Sequence, residues 1–165
     1  MREEEREMRG EKTTTAATGR LAGIDFGTVR IGVAITDRER RIVSPLDNYS
    51  RRGETADAEY FRRLVTAEQI VGFVVGLPVH LDGRESQKST EARQFGGWLA
   101  QVTGVNVVFF DERFSTSEAE QALAGAELTK KKRKARLDKL AAQILLTAYL
   151  EAGCPASFEA KGIGS

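Results

Sequence analysis

The sequence predicts an α/β fold: one mixed sheet of five strands, strands 1 to 3 antiparallel and strands 4 and 5 reached by parallel crossovers, flanked by helices. Three observations predict it. Two apolar runs with a third candidate follow one another early, joined by turns too short to hold a helix. Two later apolar runs each follow a stretch of helical periodicity, and an amphipathic helix closes the order. With 165 residues and 41% hydrophobic content the chain supplies one core and is short for two. The expected domain spans residues 20–153, between a disordered tail at 1–19 and a C-terminal tail at 154–165.

Leu21 to Asp25 and Ile31 to Thr36 read as strands joined by a short Gly-containing turn, and Arg41 to Ser44 follows as a third after the charged turn Asp37-Arg38-Glu39-Arg40. Asn48 to Thr55 is polar and loop-like. Ala56 to Glu68 then carries Tyr60, Phe61, Leu64 and Val65 at helical spacing. Ile70 to Val75 is a continuous apolar run stopped by Gly76 and Pro78, as suits a strand buried on both faces. Glu85 to Thr103 is helical, with Ala92, Phe95, Trp98, Leu99 and Val102 on one side and Gly104 placed to end it. Val105 to Phe110 is a further buried strand, and Ser117 to Ala124 a short helix. Arg136 to Ala152 is amphipathic, its apolar face formed by Leu137, Leu140, Ala141, Ile144, Leu145, Ala148 and Tyr149.

Ligands of sheets with parallel crossovers gather beyond the carboxyl ends of the strands. Asp25, Asp111 and Glu112 fall at such ends, and Gly23 and Gly27 let the backbone turn sharply beside Asp25. Asp138 precedes Ala141, Ala142 and Leu145 by three, four and seven residues, which turns it toward the protein body. An inward carboxylate needs a cation or donors to offset its desolvation. Acids converging without histidine or cysteine favour Mg²⁺ or Mn²⁺ over Zn²⁺, and two such ions support metal-assisted phosphodiester hydrolysis. Each acid alone has a plainer reading: a turn or cap for Asp25 and Asp111, a surface ion pair of Glu112 with Arg113, a pair of Asp138 with Lys134. Their joint placement favours the metal site. Asp25 and the fifth strand are about 10 Å apart if one strand separates them, and with both faces of that strand apolar, alternation leaves Asp111 and Glu112 both open as the partner.

Charge is nearly balanced at +1, which does not advertise a nucleic-acid binder. Its distribution says more. Between Lys130 and Lys139 seven basic residues stand against Asp138 alone, and Lys130, Lys131, Lys132, Arg133 and Lys134 precede the inward acid directly. Such a run holds phosphates without reading sequence, with Arg30, Lys88 and Arg113 as further contacts. The single cysteine, Cys154, excludes an intramolecular disulfide and a cysteine metal cluster. No apolar stretch reaches membrane-spanning length and no leader is evident, so a cytoplasmic protein without membrane contact, a monomer or weak homodimer, is expected. His80, the one histidine, reads as an exposed loop residue.

The run Gly23-Ile24-Asp25-Phe26-Gly27-Thr28-Val29-Arg30-Ile31-Gly32-Val33-Ala34 resembles the first motif of the YqgF/RuvX family, Holliday-junction-resolvase-like proteins also described as pre-16S ribosomal RNA nucleases. Val75-Gly76-Leu77-Pro78 with Asp82-Gly83 resembles the second motif, Asp111-Glu112-Arg113-Phe114-Ser115-Thr116 the third, and Lys131-Lys132-Arg133-Lys134 leading to Asp138-Lys139-Leu140-Ala141-Ala142 the fourth. Four ordered motifs over residues 20–152 are far more specific than one. The resemblance implies an RNase H-like fold, with Asp25, Asp111/Glu112 and Asp138 as catalytic and metal-binding acids. It further implies a hydrolase that matures the 5′ end of pre-16S ribosomal RNA, with the precursor or a pre-ribosomal particle as partner. Val29, His80 and Phe114 depart from the usual lysine, asparagine and leucine, and none removes a carboxylate. Strand four ends in Gly76-Leu77-Pro78 with no acid, unlike the true junction resolvases, so the second ligand falls to the fifth strand.

Three rival functions share these residues: a branched-DNA resolvase, a non-catalytic nucleic-acid-binding ribosome-assembly module, and an ATP-binding domain of the actin and Hsp70 type. The last opens with the same Asp-x-Gly-Thr motif but needs two domains around its nucleotide, for which this chain is short.

Overall fold

The computed structural model describes residues 18–78, 86–111 and 130–155, and of 130–139 the backbone alone. Strand β1 (Arg20–Asp25) is followed by β2 (Arg30–Thr36), β3 (Val43–Ser50), helix α1 (Glu54–Glu68), β4 (Ile70–Leu77), α2 (Gln87–Thr103), β5 (Asn106–Asp111) and α3 (Lys130–Glu151). The five strands form one sheet in the order β3-β2-β1-β4-β5. β1 pairs antiparallel with β2, and β2 with β3, while β4 runs parallel to both β1 and β5. This is the mixed sheet expected. The expected short helix at 117–124 lies outside the described residues.

The third strand begins later and runs further than its apolar content predicts, into the first residues of the stretch expected to be loop. β3 is an edge strand whose residues 44 to 47 are exposed, so polar side chains cost nothing there and backbone pairing to β2 decides the conformation. β5, at the other edge, buries Val107 and Phe109 and leaves Val108 and Phe110 half-buried, less enclosed than its continuous apolar run suggests. Even β4, between two strands, leaves Val71 exposed.

Helices cover both faces. α1 and α2 pack one face over Ala22, Ile24, Phe73, Val75, Val107 and Phe109. Phe61 of α1 is fully buried there, edge-on to Tyr49, Phe73, Phe95 and Trp98. Its burial stabilises the fold by about 1.5–3 kcal/mol. Two caps fix α2. Ser86 accepts from the Ser89 amide at 3.1 Å and donates to the Pro78 carbonyl at 2.8 Å, and Gly104 ends the helix at φ 70°.

α3 covers the opposite face, where Ala142, Leu146 and Tyr149 meet Leu21, Ala34 and Val74. Its buried stripe is Ala142, Leu145, Leu146 and Tyr149, with Leu140, Ala141, Ile144 and Ala148 half-buried, so the contact face is turned slightly from the one periodicity predicts. The start of the expected C-terminal tail folds back: Tyr149 donates to the Pro155 carbonyl at 3.0 Å and Cys154 packs beside it. No helix among the described residues is long and apolar enough to cross a membrane.

Candidate functional site at the carboxyl edge of the sheet

β1 ends at Asp25, which is half-buried and paired with Gly32 of β2. The chain turns immediately. A Cβ on Gly27 would stand 2.3 Å from the Arg30 carbonyl oxygen, so only glycine permits this turn. Gly23 has a different role from the turn expected of it. It lies inside β1, and a Cβ there would meet Leu146 Cβ at 2.9 Å and the Ala142 carbonyl oxygen at 3.0 Å. Gly23 is the point where α3 touches the sheet.

Alternation then orients the strand. Gly23 faces α3, so Asp25, two residues on, lies on the same face. Phe26, the next residue, packs on the other side with its ring 4.8 Å from that of Phe95. The backbone of α3 carries Asp138 four residues before Ala142 and eight before Leu146, the two residues that meet β1 at Gly23. The far end of α3 returns to the start of β1: Tyr149 lies within electrostatic reach of Arg40, whose Nε donates to the Gly19 carbonyl at 2.9 Å. Stepping back along α3 from Leu146 to Ala142 therefore leads toward the carboxyl end of β1, where Asp25 stands.

On β5 the register separates the two acids that sequence left together. Ile24 aligns with Val75 and Val75 with Phe109; one residue further, Gly76 aligns with Phe110 and Leu77 with Asp111. Phe109 belongs to the α1/α2 core and Phe110 to the α3 side. Asp111 thus falls on the α1/α2 face, opposite to Asp25. Glu112 lies outside the described residues, as does the side chain of Asp138. Among the described residues no three of His, Cys, Asp and Glu gather as a metal-holding group.

Of the expected phosphate contacts, Arg30 is exposed at the start of β2 and Lys88 is exposed in the first turn of α2. Lys130, Lys131, Lys132, Arg133 and Lys134 form the first turns of α3, with their side chains outside the described ones; Arg113 and His80 lie outside altogether.

One network beside the site escaped the sequence. Asp57 in α1 is fully buried and accepts from Tyr49 Oη at 2.7 Å, the Arg52 amide at 2.9 Å and Arg51 Nε at 3.1 Å. Burial pushes its carboxyl up, but the Arg52 amide, the Tyr49 hydroxyl and Arg51 outweigh that and hold it below the ordinary carboxylate value. Arg51 is thereby fixed over the Phe26 ring, with its guanidinium carbon 5.4 Å from the centroid. An acid one turn into a helix gave no sign of this, because its partners come from the end of β3.

The family model for RuvX, described as Holliday junction resolvase, matches residues 19–152. A protein of Rhodopirellula baltica named "Putative pre-16S rRNA nuclease" is 49% identical over 145 residues, covering 85% of this chain and 84% of that protein. One of the same name from Rhodobacter capsulatus is 40% identical over 133 residues, covering 81% and 84%. Among solved structures, RuvC of Thermus thermophilus in complex with Holliday junction substrate superposes with a TM-score of 0.52 at 15% identity, covering 84% of this chain and 98% of that one. The shared architecture is the RNase H-like fold.

Proposed function

The chain belongs to the RuvX family, and from that premise we propose that it is a nuclease that hydrolyses phosphodiester bonds in the 5′-end processing of pre-16S ribosomal RNA. The observation that carries the reading is the approach of α3 to β1 at Gly23, which puts the helix bearing Asp138 on the face of the sheet that holds Asp25. The relatives named for pre-16S rRNA, at up to 49% identity, favour that substrate over branched DNA.

We assign the site to Asp25, Glu112 and Asp138. The pleat favours Glu112 over Asp111, since Asp111 falls on the face opposite to Asp25, and the longer side chain of Glu112 suits the span of about 10 Å across β4. The donors are carboxylates at a half-exposed strand end, which fits Mg²⁺ or Mn²⁺ in kind. Two such ions, when bound, activate the attacking water and stabilise the leaving oxygen. The chain's own part is to fix Asp25 by strand pairing and the turn at Gly27, to bring α3 close, and to hold the RNA backbone with the basic first turns of α3, Arg30, Lys88 and Arg113. A cytoplasmic location, beside a ribosomal precursor or pre-ribosomal particle, is part of this reading.

The test is cleavage of precursor RNA under Mg²⁺ or Mn²⁺. Asp25→Asn and Asp138→Asn are expected to abolish cutting while RNA binding persists. If both variants cut as well as wild type, the metal-site assignment is wrong. A four-way DNA junction cut in preference to the RNA would move the substrate to branched DNA.

A further inference from the structure

On the face of β1 opposite to Asp25 a cleft of about 440 Å³ opens, floored by the rings of Phe26, Phe95 and Trp98. Arg51 stands over that floor, and Glu54 and Glu91 line the cleft with it. Thr28, in the turn that follows Asp25, is part of its wall. The cleft and the proposed cleavage site are therefore the two sides of one strand tip, reached by consecutive residues Asp25 and Phe26.

From this arrangement we infer that the cleft receives one unstacked guanine base of the RNA strand whose backbone lies at Asp25, an inference that rests on the nuclease reading above. Its size falls within the range of about 300–1000 Å³ typical of small-ligand sites, and aromatic floors hold splayed-out bases in single-stranded RNA. Arg51 is oriented before any ligand arrives. Its Nε bonds Asp57 at 3.1 Å, its guanidinium carbon lies 5.4 Å and 5.9 Å from the Phe26 and Phe95 centroids, and its terminal nitrogens bond no described residue. Those terminal donors suit paired acceptors.

Charge decides between a phosphate and a base. Asp57 already balances Arg51, and Glu54 and Glu91 leave the cleft net acidic, so a phosphate is repelled. A base that offers acceptors to arginine and donors to carboxylate is favoured instead. Guanine has both: O6 and N7 accept from a guanidinium fork, while N1–H and the N2 amino group donate to a carboxylate. Adenine, cytosine and uracil each lack part of that pattern. The cleavage site thereby acquires a preference for guanine at an adjoining nucleotide.

Trp98 is the only tryptophan of the chain and lies in the cleft, so its fluorescence reports occupancy directly. The full chain, without divalent metal, is titrated with GMP, AMP, CMP, UMP and inorganic phosphate. A saturable change with GMP is expected, at a half-saturating concentration about tenfold or more below that of the other nucleotides, as for sites built on specific hydrogen bonds. Glu54→Gln with Glu91→Gln, both outside the core, is expected to weaken GMP about tenfold or more at an unchanged melting temperature, with AMP binding not weakened. Equal responses to all four nucleotides, competition by phosphate alone, no response, or undiminished GMP binding in the double variant would overturn the inference. Cleavage is not part of this readout: a wild type that cuts RNA but ignores GMP removes the guanine site alone, whereas uncut RNA with intact GMP selectivity removes the nuclease reading alone.

Discussion

Replacing Gly23 by alanine probes the contact on which the proposed site depends. The added Cβ would stand 2.9 Å from Leu146 Cβ and 3.0 Å from the Ala142 carbonyl oxygen. Both atoms are fixed to the α3 backbone, so no rotamer relieves the clash. The helix must retreat by about 0.5 Å to restore ordinary contact distances of about 3.5 Å. Overpacking of this kind costs about 1–3 kcal/mol. Gly23 is absent from the glycines with positive φ, so alanine returns about 0.4–1 kcal/mol by restricting the unfolded chain. The net loss is about 1–2 kcal/mol, a fall in Tm of about 2–8 °C for a chain of this size. Because α3 carries Asp138, a shift this small is also expected to lower cleavage by about tenfold or more. Thermal unfolding by circular dichroism and a single-turnover RNA cleavage assay read the two effects. If Gly23→Ala melts within about 1 °C of wild type and cuts at the wild-type rate, the close approach of α3 is not what reserves this position for glycine.

Four further outcomes follow from other contacts. Asp57→Asn keeps the shape but loses the charge that holds Arg51, and urea unfolding is expected to show a loss of about 1–3 kcal/mol. The Asp57 carboxyl is held below its ordinary value, so its stabilisation is present above the unfolded pKa of about 3.9 and disappears as pH falls through the folded one. The difference between wild type and Asp57→Asn should therefore be flat near neutrality and shrink below about pH 4; a difference that grows on acidification refutes the assignment. Gly27→Ala, driven into the Arg30 carbonyl, is expected to displace the β1–β2 turn and suppress cleavage, measured beside the melting curve. Glu112→Gln should abolish cleavage while Asp111→Asn retains most of it, and the opposite ranking would put the ligand on Asp111. RNA binding, followed by anisotropy, should weaken steeply as salt rises, and a flat salt response would remove the basic start of α3 from the interface.

The sequence by itself determined the strand order in kind, the three described helices and the candidate acids. Apolar runs and helical periodicity are local signals, and the tight turn after Asp25 carries its own glycine. Four ordered motifs added the family. The exact extent of β3 was not legible, because an edge strand with exposed side chains carries no apolar pattern and takes its conformation from the backbone of β2. Nor was the role of Gly23 legible, since it depends on Ala142 and Leu146, more than a hundred residues away. The Asp57 network joins a helix to the end of an adjacent strand through side chains that look unrelated in sequence. Register decided the rest. Continuous apolar strands give no phase, so only the contact of Gly23 with α3 puts Asp25 on the α3 face, and only pairing through β4 puts Asp111 on the other. A chain records which residues are acidic; which of them share a face is fixed by how neighbouring strands align and which helix each face buries.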